Sequence, residues 1–465
     1  MMSFVRKEPA FFFCLTVIFA FLFLRNPNSL LYPPVFVEDG PYMLGYFYEN
    51  RALSSVFRFY AGYISLGPNI LGYVAGIFGI VATPFFLSFL PLMVSAFTFS
   101  IVSLHSFDHI GKSLNARVAI CLFAGLLPAG NIALVSNTTY SLWNMFILLS
   151  ILSILWTPKS HKKAIAVLPI FFILIWSHPL SLLLVPVYIF RFFCSETRIQ
   201  KNFFCLLLGI TTSYYVFGIN HSSITNQLSV GSVLLDWGRV FFERVIFERL
   251  LMTKTRMILV SMGWQWVMHC VSIFVLFVLG VYVIYRNKST KIDFGVFSLF
   301  LYLSVGASLL SVYTRGAFLD IEWAHRYTYP SSFFIFFSVA LSAVNPKRKL
   351  SVLANSASSI ITISAESPER NFTAQEFKKF LFSHNKKLTA IIVFLTVANY
   401  LSLNFFYIDS WEGNRIREFV KQVAAKRKDH TRPWCLKIDR KEWTIIVNPW
   451  GLETSQCMDT QIKEQ

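Results

Sequence analysis

The chain is 465 residues long, 55% hydrophobic and 14% charged, with a mean hydropathy of +0.55; soluble domains are nearer one quarter charged, and a single water-soluble core cannot absorb this much apolar surface. The net charge of +18 is spread over loops and the tail, with no arginine-rich arm or recognisable nucleic-acid module, so nucleic acid is not an expected partner. Seven cysteines over this length do not make a disulfide scaffold, and Cys14, Cys121, Cys194, Cys205 and Cys270, in or beside apolar blocks, read as packing residues.

The apolar residues come in blocks of about 15–25 separated by short polar stretches, the pattern of helices that span roughly 30 Å of hydrocarbon. They do not alternate as the strands of a membrane barrel would. Arg6 and Lys7 precede a run from Pro9 to Leu24 that is followed by Arg25-Asn26-Pro27-Asn28 rather than by a small-residue cleavage site, so the run reads as an uncleaved first helix. A long aromatic loop with Glu38-Asp39-Gly40 follows. Residues 64–80 are apolar but interrupted by Gly67-Pro68-Asn69.

Basic residues gather at Lys112 and Arg117, at Lys159 to Lys163, at Arg191 to Lys201, at Arg286 to Lys291 and from Lys347 to Lys387. If each group is cytoplasmic, every apolar stretch between two groups crosses an even number of times. Residues 64–80 then lie on the outer face. The spans fall at Ala10–Leu24, Pro84–Leu104, a pair turning near Asn137–Tyr140, a pair turning near His178-Pro179, and at 203–219, 260–285, 294–313, 330–344 and 388–406.

The fold class expected is therefore an all-α polytopic membrane protein of about eleven transmembrane helices, with outer interfacial helices and a small external C-terminal segment. Residues 1–344 form the membrane module with outer loops 25–83, 220–259 and 314–329. Residues 345–387 form a cytoplasmic basic loop, 388–406 the last span and 407–465 the external tail. In the middle outer loop, Arg239/Glu243 and Arg244/Glu248 are spaced four apart, as ion pairs on the surface of an interfacial helix would be.

The sequence has no phosphate-binding glycine loop, no HExxH, no paired CxxC and no GxSxG elbow, which leaves nucleotide hydrolysis and zinc hydrolysis without support. The remaining chemistry lies in polar residues at the outer face. Glu38 and Asp39, beside the Gly40-Pro41 turn, could offer one carboxylate as a general base while the other tunes or positions it. A solvated acidic turn is the competing reading on local sequence alone. Asp320 and Glu322 have no spacing that would join them to this pair around a metal, so no metal is expected.

The order of features carries a further reading. A short first helix is followed by an outer loop with the acidic pair and Tyr42, then by a surface helix at Leu66-Gly67-Pro68-Asn69-Ile70-Leu71 and a long second span. After these come Leu127-Pro128, the Asn137–Trp143 outer turn, Trp176-Ser177-His178-Pro179-Leu180 and His325-Arg326-Tyr327. This order resembles the C-type (GT-C) membrane glycosyltransferases, and Phe59-Tyr60-Ala61-Gly62-Tyr63 is similar to bacterial members such as the serotype-converting O-antigen glucosyltransferases. The likeness covers roughly the first 195 residues and the 314–330 loop. Two departures stand out: many members have Asp before Glu in the first loop, where this chain has Glu38 before Asp39, and Lys-Gly-Pro where this chain has Ser177-His178-Pro179.

The resemblance implies sugar transfer from a polyprenyl-phosphate donor to a cell-surface glycan acceptor at the outer face of the inner membrane. The membrane lipid, the lipid-linked sugar and the glycan would be its partners, and no cofactor beyond the lipid-linked substrate is required. Glu38 or Asp39 would be the base and Tyr42 would position the acceptor or the loop. Arg326, Arg315, His178 and Arg58 would hold the departing phosphate, since Arg grips phosphate oxygens in a bidentate fork. Each has a plainer role available: Arg326 and Arg58 as interfacial anchors, His178 as a partner for the backbone broken before Pro179. A transporter or flippase of lipid-linked saccharides and an O-antigen polymerase are the rival readings; a transporter would show internal repeats and mid-membrane charges, which are not seen.

The tail reads as two short strands, Trp434 to Ile438 and Trp443 to Val447, around a turn. So small a unit has little core, and if it is external Cys435 and Cys457 could staple it through a loop of about twenty residues, contributing ~3 kcal/mol. Two free thiols are the alternative.

Overall fold

The structure is a computed structural model. It describes residues 8–25, 27–31, 33, 39, 43–44, 46–49, 52–110, 114–126, 136–220, 230–247, 256, 258–286, 291–315, 325–344, 421, 434–438, 443–447 and 458–459. These are mostly helical. The helices are α1 (Pro9–Arg25), α2 (Leu66–Ile77), α3 (Thr83–Ser100), α4 (Leu114–Leu126), α5 (Ser141–Leu155), α6 (His161–Ile175), α7 (Val185–Cys194), α8 (Arg198–Phe217), α9 (Val230–Val240), α10 (Gln265–Arg286), α11 (Lys291–Arg315) and α12 (His325–Val344).

Helices stand at each of the expected spans among the described residues; 388–406 lies outside them, as does the basic loop 345–387. Two stretches, Thr83–Ser103 and Gly295–Tyr313, are long and apolar enough to cross a membrane, and seven further apolar helices are shorter. The helix α2, expected on the outer face, has 12 residues. At about 1.5 Å per residue it is well short of the roughly 30 Å of hydrocarbon.

The middle of the molecule is α5, every residue of which is buried. A helix apolar on all sides belongs at the centre of a bundle, and its few polar side chains must find partners there. They do: Asn144 Nδ2 donates to Ser95 Oγ of α3 at 2.9 Å, and Tyr329 of α12 donates through its hydroxyl to Asn144 Oδ1 at 3.0 Å. Ser153 Oγ donates to the Tyr188 hydroxyl of α7 at 3.2 Å.

Before α2 the chain makes a hairpin, with β1 (Phe59–Tyr60) antiparallel to β2 (Tyr63–Ile64). Its two turn residues, Ala61 and Gly62, have φ of 50° and 87°, the left-handed pair that a tight hairpin turn requires. The hairpin is tied to the end of α8, where Ile64 N–H donates to Gly218 O at 2.8 Å and Asn220 N–H to Gly62 O at 2.7 Å. The start of α2 is tied to the end of α6 by Leu66 N–H to Trp176 O at 3.0 Å and Gly67 N–H to Ser177 Oγ at 2.8 Å.

Three expectations are corrected. The last of the described bundle helices begins at His325 rather than 330, so Arg326 and Tyr327 lie in its first turn; Pro330 sits inside the helix, where its missing N–H leaves the carbonyl four residues back without its helical donor but does not end the helix. Of the two ion pairs expected on the surface of an interfacial helix, Arg239/Glu243 does not form, Glu243 meeting Arg256 and His269 instead, and Arg244/Glu248 involves Glu248, which lies outside the described residues. The helix α9 runs into a π-helical stretch, Phe241–Phe247, which turns Glu243 and Arg244 inward to 3% and 1% exposure, because the wider winding breaks the four-residue spacing. Of the five cysteines read as packing residues, Cys14 and Cys121 are buried, whereas Cys194, Cys205 and Cys270 are exposed on helix faces.

In the tail, β3 (Trp434–Ile438) and β4 (Trp443–Val447) pair antiparallel as expected, and β5 (Met458–Asp459) adds to β3 in parallel. The strand β4 packs against the short helix Tyr46–Glu49 of the first outer loop.

Candidate active site around the start of helix α5

The turn before α5 collects the residues singled out by the sequence. Its own chain folds tightly: Tyr140 N–H donates to Asn137 Oδ1 at 2.9 Å and Ser141 Oγ to Thr138 O at 2.7 Å. The carboxylate of Asp39 docks on this turn from the first outer loop. Its Oδ2 accepts from Thr138 N–H at 3.0 Å, and its Oδ1 from Thr139 N–H at 2.9 Å and Thr139 Oγ at 2.6 Å. Asp39 is 2% exposed. Free N–H groups and the positive end of the helix dipole favour an anion at this place. Asn137 Nδ2 is buried with no partner among the described residues, a donor available to a water or a ligand oxygen.

One turn into α5, Trp143 faces two further motif residues. Its ring centroid is 4.5 Å from that of His178 and 5.6 Å, edge to face, from that of Tyr327. Next to Tyr327, Arg326 lies in the first turn of α12, and Arg315 ends α11. The two helices are antiparallel, joined by Ser304 Oγ to Ser331 O at 2.8 Å and Ser311 Oγ to Tyr327 O at 3.1 Å. Both arginines therefore stand at the end of this helix pair that carries Tyr327.

His178 is the cap of a short 3-10 stretch, Pro179–Leu184, and its Nδ1 accepts from Leu180 N–H at 2.9 Å. The ring is 7% exposed, and burial lowers its pKa from 6.5 to about 3. It is a neutral imidazole protonated on Nε2, so it offers one hydrogen-bond donor and no charge. The plainer role given to it by the sequence, satisfying the backbone beside Pro179, is the one the geometry displays.

Arg58 lies with its guanidinium 3.9 Å over the ring of Tyr46, and its carbonyl accepts from Asn69 Nδ2 at 3.0 Å. It braces the first outer loop against α2. Glu38, Tyr42, Asp320, Glu322 and Cys457 lie outside the described residues, and Cys435 lies within β3. Among the described residues no three His, Cys, Asp or Glu side chains gather as a metal site.

Two groupings were not foreseen. Thr138 and Thr139 hold Asp39 from about a hundred positions away, and no local pattern announces such a contact. The buried Glu243 lies 3.6 Å from Arg256 and 3.3 Å from His269 Nε2, whereas Arg239 lies 3.9 Å from Asp236. The periodicity of a regular helix gave the wrong partner for Glu243.

No family model matches the chain, and no curated protein or solved structure matches it.

Proposed function

We propose that this protein is a multi-pass glycosyltransferase of the inner membrane, with about eleven spans, that moves a sugar from a polyprenyl-phosphate donor to a cell-surface glycan acceptor at the outer face. The membrane part of the reading is supported by what the helices turn outward. Phe274 and Phe277 of α10 are each 67% exposed, Phe193 of α7 76% and Phe217 of α8 68%, while Ser, Thr and Asn side chains of α3 and α5 are buried and hydrogen-bonded. Such an arrangement suits lipid outside and polar contacts between helices.

The observation that carries the reaction is the meeting of four separate motifs at the start of α5: Asp39 of the acidic pair on Thr138 and Thr139, and His178 and Tyr327 on Trp143. In the proposed reaction the acceptor hydroxyl attacks the anomeric carbon, forming the new glycosidic bond, while the bond from that carbon to the phosphate oxygen breaks. The phosphate leaves with the electron pair. A carboxylate of the Glu38-Asp39 pair takes the hydroxyl proton. Arg326 and Arg315, at the same end of their helix pair, would meet the phosphate as its charge develops; His178 would add a neutral donor.

Transfer of radiolabelled hexose from a panel of polyprenyl-phosphate sugars, with membranes containing this chain, is the test. Labelled glycan should form with one donor of the panel and not without the chain. Donor-independent glycan growth would instead indicate a polymerase, and movement of lipid-linked saccharide across the bilayer without transfer would indicate a flippase.

A further inference from the structure

We infer that Asp39 is a positioning residue, clamped by Thr138 and Thr139 so that Glu38 is the carboxylate left to take the acceptor proton; this rests on the sugar-transfer reading above. A general base must bring an oxygen lone pair within hydrogen-bond reach of the hydroxyl it deprotonates. Three of the four lone-pair positions of Asp39 are instead taken by the turn before α5, and the residue is buried. Oδ1 accepts two hydrogen bonds, from Thr139 N–H at 2.9 Å and Thr139 Oγ at 2.6 Å, and Oδ2 accepts from Thr138 N–H at 3.0 Å. With 2% of the residue exposed, an acceptor hydroxyl could reach Oδ1 only by displacing the threonine.

The slot is made for one carboxylate. Two consecutive main-chain N–H groups, directed at two oxygens, match the width of a carboxylate as a fork matches its partner. The place lies just ahead of Ser141, the first residue of α5, where a fixed negative charge is favoured. What the clamp achieves is registration. Two residues beyond Ser141, Trp143 packs on His178 and Tyr327, so locking Asp39 to this turn locks the first outer loop to the side of the bundle that carries Arg326. Releasing the clamp would leave the base intact but misplaced.

The test compares Asp39→Asn, Thr139→Val, Thr139→Ser and Glu38→Gln by two measurements on the full chain. The first is the pH–rate profile of sugar transfer. Asp39→Asn and Thr139→Val should lose rate by up to ~10²-fold through misplacement while keeping the acid limb of the wild-type profile. Thr139→Ser, which restores the hydroxyl, should recover most of that loss. Glu38→Gln should lose ~10²–10⁴-fold and, with it, the acid limb. An acid limb that vanishes in Asp39→Asn and persists in Glu38→Gln would overturn the assignment.

The second measurement is amide hydrogen exchange at residues 138–141, which needs no activity. Exchange should speed up in Asp39→Asn and Thr139→Val and stay at the wild-type rate in Glu38→Gln. Unchanged exchange in Asp39→Asn would overturn the clamp. If the wild-type chain transfers no sugar from any donor, the role of Glu38 falls with the sugar-transfer reading, and the exchange result still decides the clamp.

Discussion

Gly67 stands against Ser177 so closely that its N–H donates to Ser177 Oγ at 2.8 Å, and a Cβ added to it would lie 2.6 Å from that oxygen and 2.2 Å from Met145 Sδ. The contact joins the outer helix α2 to the turn that carries His178. Ser177 Oγ cannot easily retreat, because it also donates to Ile173 O at 2.5 Å. Gly67→Ala should therefore destabilise by roughly 1–3 kcal/mol through overpacking, shared between movement of Met145 and loss of the serine contact. Thermal unfolding in detergent measures it; an unchanged midpoint would mean that α2 is not docked on the 176–178 turn.

Inside the bundle, Asn144 links α3 and α12 through Ser95 and Tyr329. A double-mutant cycle of Asn144→Ala and Tyr329→Phe should give a coupling energy of ~0.5–1.5 kcal/mol, the size of hydrogen bonds measured between membrane helices. Strict additivity would remove the link between the helix that carries Trp143 and the one that carries Tyr327.

Burial of His178 sets a pH dependence. Its folded pKa, about 3, lies below the ordinary value near 6.5, so the unfolded chain binds the proton more readily. This residue leaves stability unaffected above about pH 6.5 and lowers it as pH falls from there toward 3, with a limiting slope of ~1.4 kcal/mol per pH unit. His178→Asn, which keeps a cap on the Pro179–Leu184 stretch, should unfold with less acid sensitivity between pH 6 and 4. Equal slopes for the two proteins would show that the ring is hydrated.

Much of the helical framework was legible because apolar blocks and turn residues follow the same chemistry wherever they occur. The lengths and ends of elements were less so: α12 begins at His325, ahead of the span expected from residue 330, and the π-helical winding at Phe241–Phe247 hid the inward turn of Glu243. The acidic pair was visible as a candidate, but the partners of Asp39 were not. Asp39 meets Thr138 and Thr139 across a large sequence separation, and the signal available beforehand was the presence of two hydroxyl residues in an outer turn. His178 was legible as a cap beside Pro179 and illegible as a neutral one, since burial and not sequence fixes its charge.

The strand β4 lies beside the helix Tyr46–Glu49, and the proposed topology puts the tail and the first loop on the same, outer side of the membrane. Reporters near Asn50, Thr225 and after Lys441 should behave as external, and those near Lys162, Arg198, Lys288 and Lys379 as cytoplasmic. An external tail also meets an oxidising compartment. In such a compartment non-reducing mass spectrometry should find Cys435 and Cys457 linked. A cytoplasmic signal after Lys441, or both thiols alkylated without reduction, would contradict the topology.

Sugar transfer that depends on the first-loop acidic pair is tested most directly by the initial rate of hexose transfer from polyprenyl phosphate to glycan by membranes carrying the wild-type chain or Glu38→Gln. The near-isosteric change should leave insertion and protein level intact and lower transfer by ~10²–10⁴-fold. Wild-type rates from Glu38→Gln and Asp39→Asn alike, at equal protein level, would make the acidic pair a turn without chemistry and contradict its role in sugar transfer.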